Sequence, residues 1–366
     1  MDWEKALLTL KARKADPYRG RQLARAVFQG AAASYAEVKV LPADLRQALE
    51  AEVPLLSSSE AAVARSEDGT VKTLLDLAGG GQVETVLMRP SPLRWTACIS
   101  TQTGCAIGCS FCATGKTGPG RSLTPEEITD QVLYWRQFLR REAPGERLGN
   151  IVYMGMGEPF LDYEGFAASL RILLDQGLFG IGARHISVST AGLVPQMERF
   201  AADFPQVNLA VSLHAANDGL RDRLVPINRK YPLAVLAGTL KTVFTLHQRK
   251  VFLEYVVLEG ENDSAKDAAD LAAFVRSVDA GLLHVNLLAH NPGVPSPKGS
   301  SSAPAQGSLA EPPRSAPPAD PETRRFQGYL KELGIICTVR QSFGRDIDAA
   351  CGQLAARSRA IDKEKE

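Results

Sequence analysis

A chain of 366 residues has room for two or three domains, and its net charge of +1 neither demands nor forbids a nucleic-acid partner. A content of 45% apolar and 23% charged residues is that of an ordinary globular protein and excludes a disordered chain. Six cysteines exclude a disulfide scaffold, no run of ~18 apolar residues can cross a bilayer, and Met1-Asp2-Trp3-Glu4-Lys5 lacks a secretory pattern. The expected setting is a reducing cytoplasm, with no membrane partner.

Residues 1–56 read as short helices forming an accessory domain. Leu23, Ala24, Val27 and Phe28 make an apolar stripe across 18–29, and Pro42 opens a further helix. Residues 1–26 carry Lys5, Lys11, Arg13, Lys14, Arg19, Arg21 and Arg25 against Asp2, Glu4 and Asp16, a surplus of four that suits phosphate contacts or a solvated face. From 57 to 92 the pattern switches to alternation, with turns at Asp68-Gly69 and Gly79-Gly80-Gly81, which predicts a β-hairpin region. Glu84 falls on the strand after the second turn, a place where a lone glutamate usually faces solvent.

From 93 to 354 a regular alternation predicts the catalytic core. Strand-like runs cover 95–101, 150–155, 185–190, 207–213, 251–258 and 283–288, separated by helical patterns. Six such units imply an α/β fold with a covered parallel sheet, either open and doubly wound or a partial barrel. In both, chemistry collects beyond the C-terminal strand ends. The candidate motifs lie at those ends: Gly155-Met156-Gly157-Glu158-Pro159, Ser189-Thr190-Ala191-Gly192, Ser212-Leu213-His214 and Asn291-Pro292-Gly293. Residues 292–320 hold eight prolines, three glycines and six serines, a composition that cannot bury a core and reads as a flexible insertion. A helix over 321–333 and a strand over 335–340 follow, then Asp346-Ile347-Asp348-Ala349-Ala350-Cys351-Gly352-Gln353-Leu354 and a charged tail, 355–366.

The first core strand leads into Cys105-Ala106-Ile107-Gly108-Cys109-Ser110-Phe111-Cys112. Thiolates are soft ligands for iron–sulfur clusters or zinc. A C-x3-C-x2-C loop supplies three ligands and leaves one iron of a [4Fe–4S] cluster open. With Cys98 upstream, a four-cysteine zinc site is the alternative, although zinc ribbons pair C-x2-C with C-x2-C. The spacing, and the aromatic before the third cysteine, resemble the radical S-adenosylmethionine (SAM) superfamily. Of the other thiols, Cys337 reads as buried and inert, Cys98 as a strand residue, and Cys351 as a loop thiol among small neighbours, a setting that favours reactivity.

Cys98, the triad loop, Gly155–Pro159, Ser212-Leu213-His214-Ala215, Val225-Pro226-Ile227-Asn228 and Asp346–Leu354 occur in an order that resembles the radical SAM RNA methyltransferases acting on an adenine ring carbon. The resemblance covers nearly the whole chain. It implies a partial (βα)6 TIM-like barrel with a small helical N-terminal domain and a hairpin extension. It also implies one [4Fe–4S] cluster on Cys105, Cys109 and Cys112, and SAM held by Gly157, Glu158, Ser189, Ser212, Leu213, His214 and Asn291. The substrates implied are 23S rRNA, methylated at adenine C2, and tRNA beside the anticodon. A sister branch methylates C8 of the ribosomal adenine, and no residue here separates the two.

Adenine C2 and C8 are electron-poor and do not attack a sulfonium methyl, so this chemistry needs a carbon radical. The resemblance gives Cys351 the role of methyl carrier, loaded by displacement from a first SAM, with a second SAM supplying the radical. Cys98 would resolve the enzyme–RNA link through a transient disulfide with Cys351, and Glu84 would be the proton acceptor. RNA contacts from charge and loop position are Arg121, Arg229, Lys230, Arg340 and Arg345. A flavodoxin or ferredoxin would donate electrons to a monomer. Gly118-Pro119-Gly120-Arg121-Ser122-Leu123 departs from the family's usual aromatic and asparagine, and 292–320 is longer than the usual loop. A reading from another class is an iron–sulfur electron carrier or a zinc-held RNA-binding module, for which Cys351 would be dispensable.

Overall fold

The computed structural model describes residues 1–91, 94–291 and 320–355; most of the 292–320 insertion and the tail beyond 355 lie outside the described residues. Ten strands form one sheet in strict sequence order. β1 (Ser58–Arg65), β2 (Val71–Leu77) and β3 (Gln82–Ser91) are antiparallel, and β3 pairs antiparallel with β4 (Arg94–Cys98). From β4 onward every pairing is parallel, through β5 (Leu148–Tyr153), β6 (Ile186–Thr190), β7 (Asn208–Ser212), β8 (Val251–Val257), β9 (Leu283–Ala289) and β10 (Cys337–Val339). The fold is α/β with an unclosed parallel arc. The expected β-hairpin region is three antiparallel strands continuous with the core sheet.

Why these runs are strands is plain from their burial. β7 and β8 are almost continuously apolar and covered on both faces, as parallel strands under helices must be. A short helix, α4 (Ala113–Thr117), follows the cysteine loop, and the long crossover helix α5 (Pro125–Glu142) starts with Pro125 at its first turn and a capping box in which Thr124 and Glu127 satisfy each other's backbone N–H groups. Its inner face contributes Trp135 and Phe138, both at most 2% exposed.

The N-terminal segment packs onto the outer side of α5. It comprises α1 (Trp3–Ala12), α2 (Tyr18–Ala24) and α3 (Ala43–Glu52). The apolar stripe expected over 18–29 starts as α2 and then widens into a π-helical turn over Arg25–Gln29. That turn directs Phe28 between Trp3 and Phe179, with ring centroids 5.7 and 4.9 Å away. The N-terminal ammonium and the Ser57 N–H and hydroxyl converge on buried Asp130 of α5. One apolar cluster runs from Met1 to Leu354, so the accessory segment and the core share a single interior.

Candidate active site

Beyond the C-terminal ends of β5–β9 lies a cleft of ≈ 930 Å³ counted out to its mouth. Cys105, Cys109 and Cys112 form one wall, Gly157, Glu158, Ser189, Ser212, His214 and Asn291 another, and Cys351 with Arg340 and Glu254 a third.

The cysteine loop is held by its backbone. Gln131 of α5 clamps Ser100 through both N–H and C=O at 2.8 Å each, and the Ser100 hydroxyl donates to Glu84 O at 2.6 Å. Cys105 N–H donates to Gly118 O at 2.8 Å, and Ser110 N–H to Leu224 O at 3.1 Å. Gly104 and Gly120 approach so closely that a Cβ on Gly120 would stand 2.2 Å from Gly104 N, so neither strand of this crossing admits a side chain. The three thiols are half-buried. Burial pushes Cys105 up to about 11 and Cys109 higher still.

Three thiols on one short loop, two of them (Cys105 and Cys109) disfavoured as free thiolates by burial, are a donor set that fits an iron–sulfur cluster. Among the described residues no three His, Cys, Asp or Glu side chains converge tightly enough for one metal ion. A cubane places each thiolate on a different iron, so its ligands need not converge on one point. Cys98 stands away from this loop: it is 7% exposed, and the charged groups it senses are Cys351 and Arg340.

The second wall is shaped by backbone. Gly157 has φ +100°, and a Cβ there would meet Gln102 at 2.6 Å. Gln102 in turn accepts the Glu158 N–H at 2.9 Å. The Glu158 carboxylate accepts N–H groups from Ala191 (2.7 Å) and Phe160 (3.1 Å), yet burial outweighs these bonds and pushes its pKa up to about 7. Ser189 and Ser212 hydroxyls are 3.3 Å apart. His214 sits at φ +59° with Nδ1 accepting Val256 N–H at 3.0 Å, which leaves the proton on Nε2, and its ring stands edge-on to Phe111 at 4.6 Å. Burial, then the nearby Arg221 charge, pushes His214 down to about 3. Asn291 Oδ1 is buried without a partner among the described residues. Leu213 contributes backbone only: its N–H donates to Glu254 O and its C=O accepts Arg221 Nε.

On the third wall Cys351 is the most exposed of the six free cysteines. Burial of the thiol within the cleft pushes its pKa up, and the Arg340 guanidinium opposes the shift. Cys98 and Cys351 are both free thiols, so the expected disulfide is not formed in this structure. Glu84, 8% exposed, is inside the sheet rather than facing solvent. It pairs with Lys72 at 2.9 Å and accepts the Ala355 N–H at 2.9 Å, and it does not line the cleft.

Two of the five expected RNA contacts are engaged inside the protein. Arg121 donates to both Glu127 oxygens at 2.7 Å and to Gly80 O and Ser122 O, which consumes its guanidinium. Arg340 lies in the cleft against Glu254 at 3.3 Å. Arg229, Lys230 and Arg345 are exposed.

Two residues and one contact escaped the sequence reading. Arg221, 1% exposed, donates to Ala191 O, Leu213 O and Asn228 Oδ1 and so staples the ends of β6 and β7 to the turn at Pro226–Arg229. Glu254 was legible in principle as the lone charge in Val251–Val257. Phe111 packs on His214, a contact that no spacing reveals.

Comparison with known proteins agrees with this geometry. The radical SAM superfamily profile matches residues 99–272. A relative from Streptococcus suis (strain 98HAH33), called a probable dual-specificity RNA methyltransferase RlmN, is 37% identical over 95% of this chain and 89% of its own length. A relative of the same name from Rhodopirellula baltica is 39% identical over 92% of this chain and 85% of its own. The crystal structure of a radical SAM methyltransferase from Sphaerobacter thermophilus is 41% identical, covers 98% of both chains and superposes with a TM-score of 0.84. With its cysteine triad, strand-end pocket and Cys351 gathered in one cleft, the chain belongs to the RlmN family of radical SAM RNA methyltransferases.

Proposed function

We propose that the protein methylates C2 of an adenine in 23S rRNA and of the adenine beside the anticodon in tRNAs. A single observation carries this reading. Cys351, a thiol with no structural partner, stands in the same cleft as the cysteine triad, and buried Cys98 lies within electrostatic reach of it. A one-step polar methyltransferase needs neither thiol.

Cys105, Cys109 and Cys112 would hold the cluster, which when bound supplies the one electron that splits SAM into methionine and a hydrogen-abstracting radical. Glu158 accepts the SAM ammonium, and Ser189, Ser212, His214 Nε2–H and Asn291 line the rest of its bed. Cys351 thiolate displaces the methyl group of a first SAM, forming an S–CH3 bond and releasing S-adenosylhomocysteine. After hydrogen loss, that carbon is positioned by Cys351 for addition to the flipped-out base. Glu84 takes the proton from the attacked ring carbon once Lys72 and the Ala355 N–H release its carboxylate toward the cleft. Once the adduct has passed its unpaired electron to the oxidised electron carrier, Cys98 thiolate attacks the Cys351 sulfur; the S–S bond forms as the S–C bond breaks, the departing CH2 carbon takes a proton to become the product methyl, and reductant returns the disulfide to two thiols. A flavodoxin or ferredoxin serves as electron donor to a monomer in the cytoplasm. Arg229, Lys230 and Arg345 meet the RNA backbone.

The test is nucleoside mass spectrometry after anaerobic incubation of reconstituted protein with SAM, reductant and protein-free 23S rRNA. 2-Methyladenosine supports the proposal. 8-Methyladenosine moves the protein to the sister branch, and no methylated base with an intact cluster refutes it.

A further inference from the structure

The cleft wall formed by β8 carries a charge that the reaction described above does not use. Glu254 is 5% exposed, on a strand otherwise lined by apolar residues. Its Oε1 accepts Asn286 Nδ2 at 2.9 Å and Arg340 Nη1 at 3.3 Å, while Oε2 is buried with no hydrogen-bond partner among the described residues. A buried carboxylate oxygen without a donor is costly and calls for one. Arg340 is the mirror case. Beyond Glu254 and a long contact to Met154 Sδ at 3.8 Å, its guanidinium has no acceptor among the described residues.

We propose that Glu254 and Arg340 together read the N6/N1 edge of the target adenine; this rests on the adenine methyltransferase reading above. Glu254 Oε2 accepts the N6–H, and an Arg340 N–H donates to ring N1. The two partners offer an acceptor beside a donor, and the adenine edge offers a donor beside an acceptor. A 6-oxopurine presents the reverse order, O6 against the carboxylate and N1–H against the guanidinium, so the pair also rejects guanine. Held by N6 and N1, the ring places C2, the next atom beyond N1, on the Arg340 side. Cys351 is there: both Arg340 and Glu254 act on its thiol. Glu254 is the register partner of Ser212 across β7–β8, so the pair stands where the proposed SAM bed meets the Cys351 end of the cleft.

The experiment compares RNA hairpins that carry adenosine, purine riboside (no 6-amino group) or 7-deazaadenosine at the target position. Reconstituted wild type and Glu254→Gln are assayed for kcat/KM and for hairpin affinity by competition. In the variant, Asn286 and Arg340 hold the amide oxygen, and the NH2 group faces N6–H. Wild type is expected to favour adenosine over purine riboside by roughly 10- to 100-fold and to accept 7-deazaadenosine with little loss. In Glu254→Gln that preference falls to about twofold or less, because the adenosine value drops while the purine riboside value stays within the same range.

Equal losses on both hairpins, with the preference intact, would mean that Glu254 only props Arg340, and the proposal fails. It also fails without any variant if wild type treats adenosine and purine riboside alike, or if 7-deazaadenosine is the analogue rejected. A wild-type protein that methylates adenosine but shows no such preference leaves the methyltransferase reading standing. One that methylates no adenosine hairpin removes both.

Discussion

The Ser66 hydroxyl donates to Asp346 Oδ1 at 2.5 Å, joining residues 280 positions apart. Around it, Glu67 N–H donates to Asp346 Oδ2, Gly344 N–H donates to Asp68 Oδ2 at 2.8 Å, and Lys72 Nζ donates to Asp348 O at 3.0 Å. The β1–β2 turn therefore clasps the segment that ends in Cys351, and Lys72 links this clasp to Glu84. Replacing Asp346 by Asn weakens two charge-assisted bonds, about 1–2 kcal/mol in sum. The expected outcome is alkylation of Cys351 several-fold faster in Asp346→Asn than in wild type, read by peptide mass spectrometry. An unchanged rate would mean that the clasp does not hold the loop.

The roles proposed for Cys98 and Cys351 predict different arrests. Cys98→Ala keeps the methyl carrier but lacks the attacking thiolate, so turnover stops with RNA linked to protein. Cys351→Ala forms no link at all. Denaturing gels of reactions with labelled RNA should show a slow-migrating adduct for the first variant and none for the second. An adduct in Cys351→Ala, or free methylated RNA from it, would contradict the carrier role.

Gly157 supports the proposed SAM bed by having no side chain. Alanine there combines φ +100° with a 2.6 Å approach to Gln102, whose side chain positions Glu158. The strain is about 1–3 kcal/mol, so Gly157→Ala should bind SAM roughly tenfold or more weakly in equilibrium dialysis. Gly238, in the helix Leu233–His247 with nothing within 4 Å of its would-be Cβ, is the control, and Gly238→Ala should bind as wild type. Equal behaviour of the two variants would show that the tight turn at Gly157 is dispensable.

What was legible in the sequence follows from which forces act locally. Parallel strands are buried on both faces, so runs such as Val251–Val257 stand out as apolar blocks, and their ends fell within a few residues of expectation. Glycines at strand exits marked the pocket because close approach excludes a Cβ. Charge and loop position say nothing about a partner distant in sequence; Glu127 consumes Arg121 and Glu254 holds Arg340 in the cleft only after the chain folds. Glu84 is the same case, withdrawn from solvent by Lys72 and by Ala355 at the far end of the chain. The break of the 18–29 helix into a π turn likewise answers to Phe179, some 150 residues away.

His214 gives the pH prediction with its sign. Its pKa lies near 3 in the folded protein, held down first by burial and then by Arg221, against 6.5 when unfolded. Between those values the unfolded chain binds a proton that the native state refuses, so stability falls as pH drops below 6.5, at up to about 1.4 kcal/mol per unit from this residue. Above 6.5 the imidazole is neutral in both states and contributes no pH dependence. Glutamine at 214 can still accept the Val256 N–H through its amide oxygen but does not titrate. Urea unfolding of cluster-free, reduced protein at pH 7.5, 6 and 5 should therefore show the stability gap between wild type and His214→Gln narrowing as pH falls. Parallel curves across that range would mean that His214 takes up its proton in the folded protein, and the neutral Nε2–H donor assigned to the SAM bed would be withdrawn.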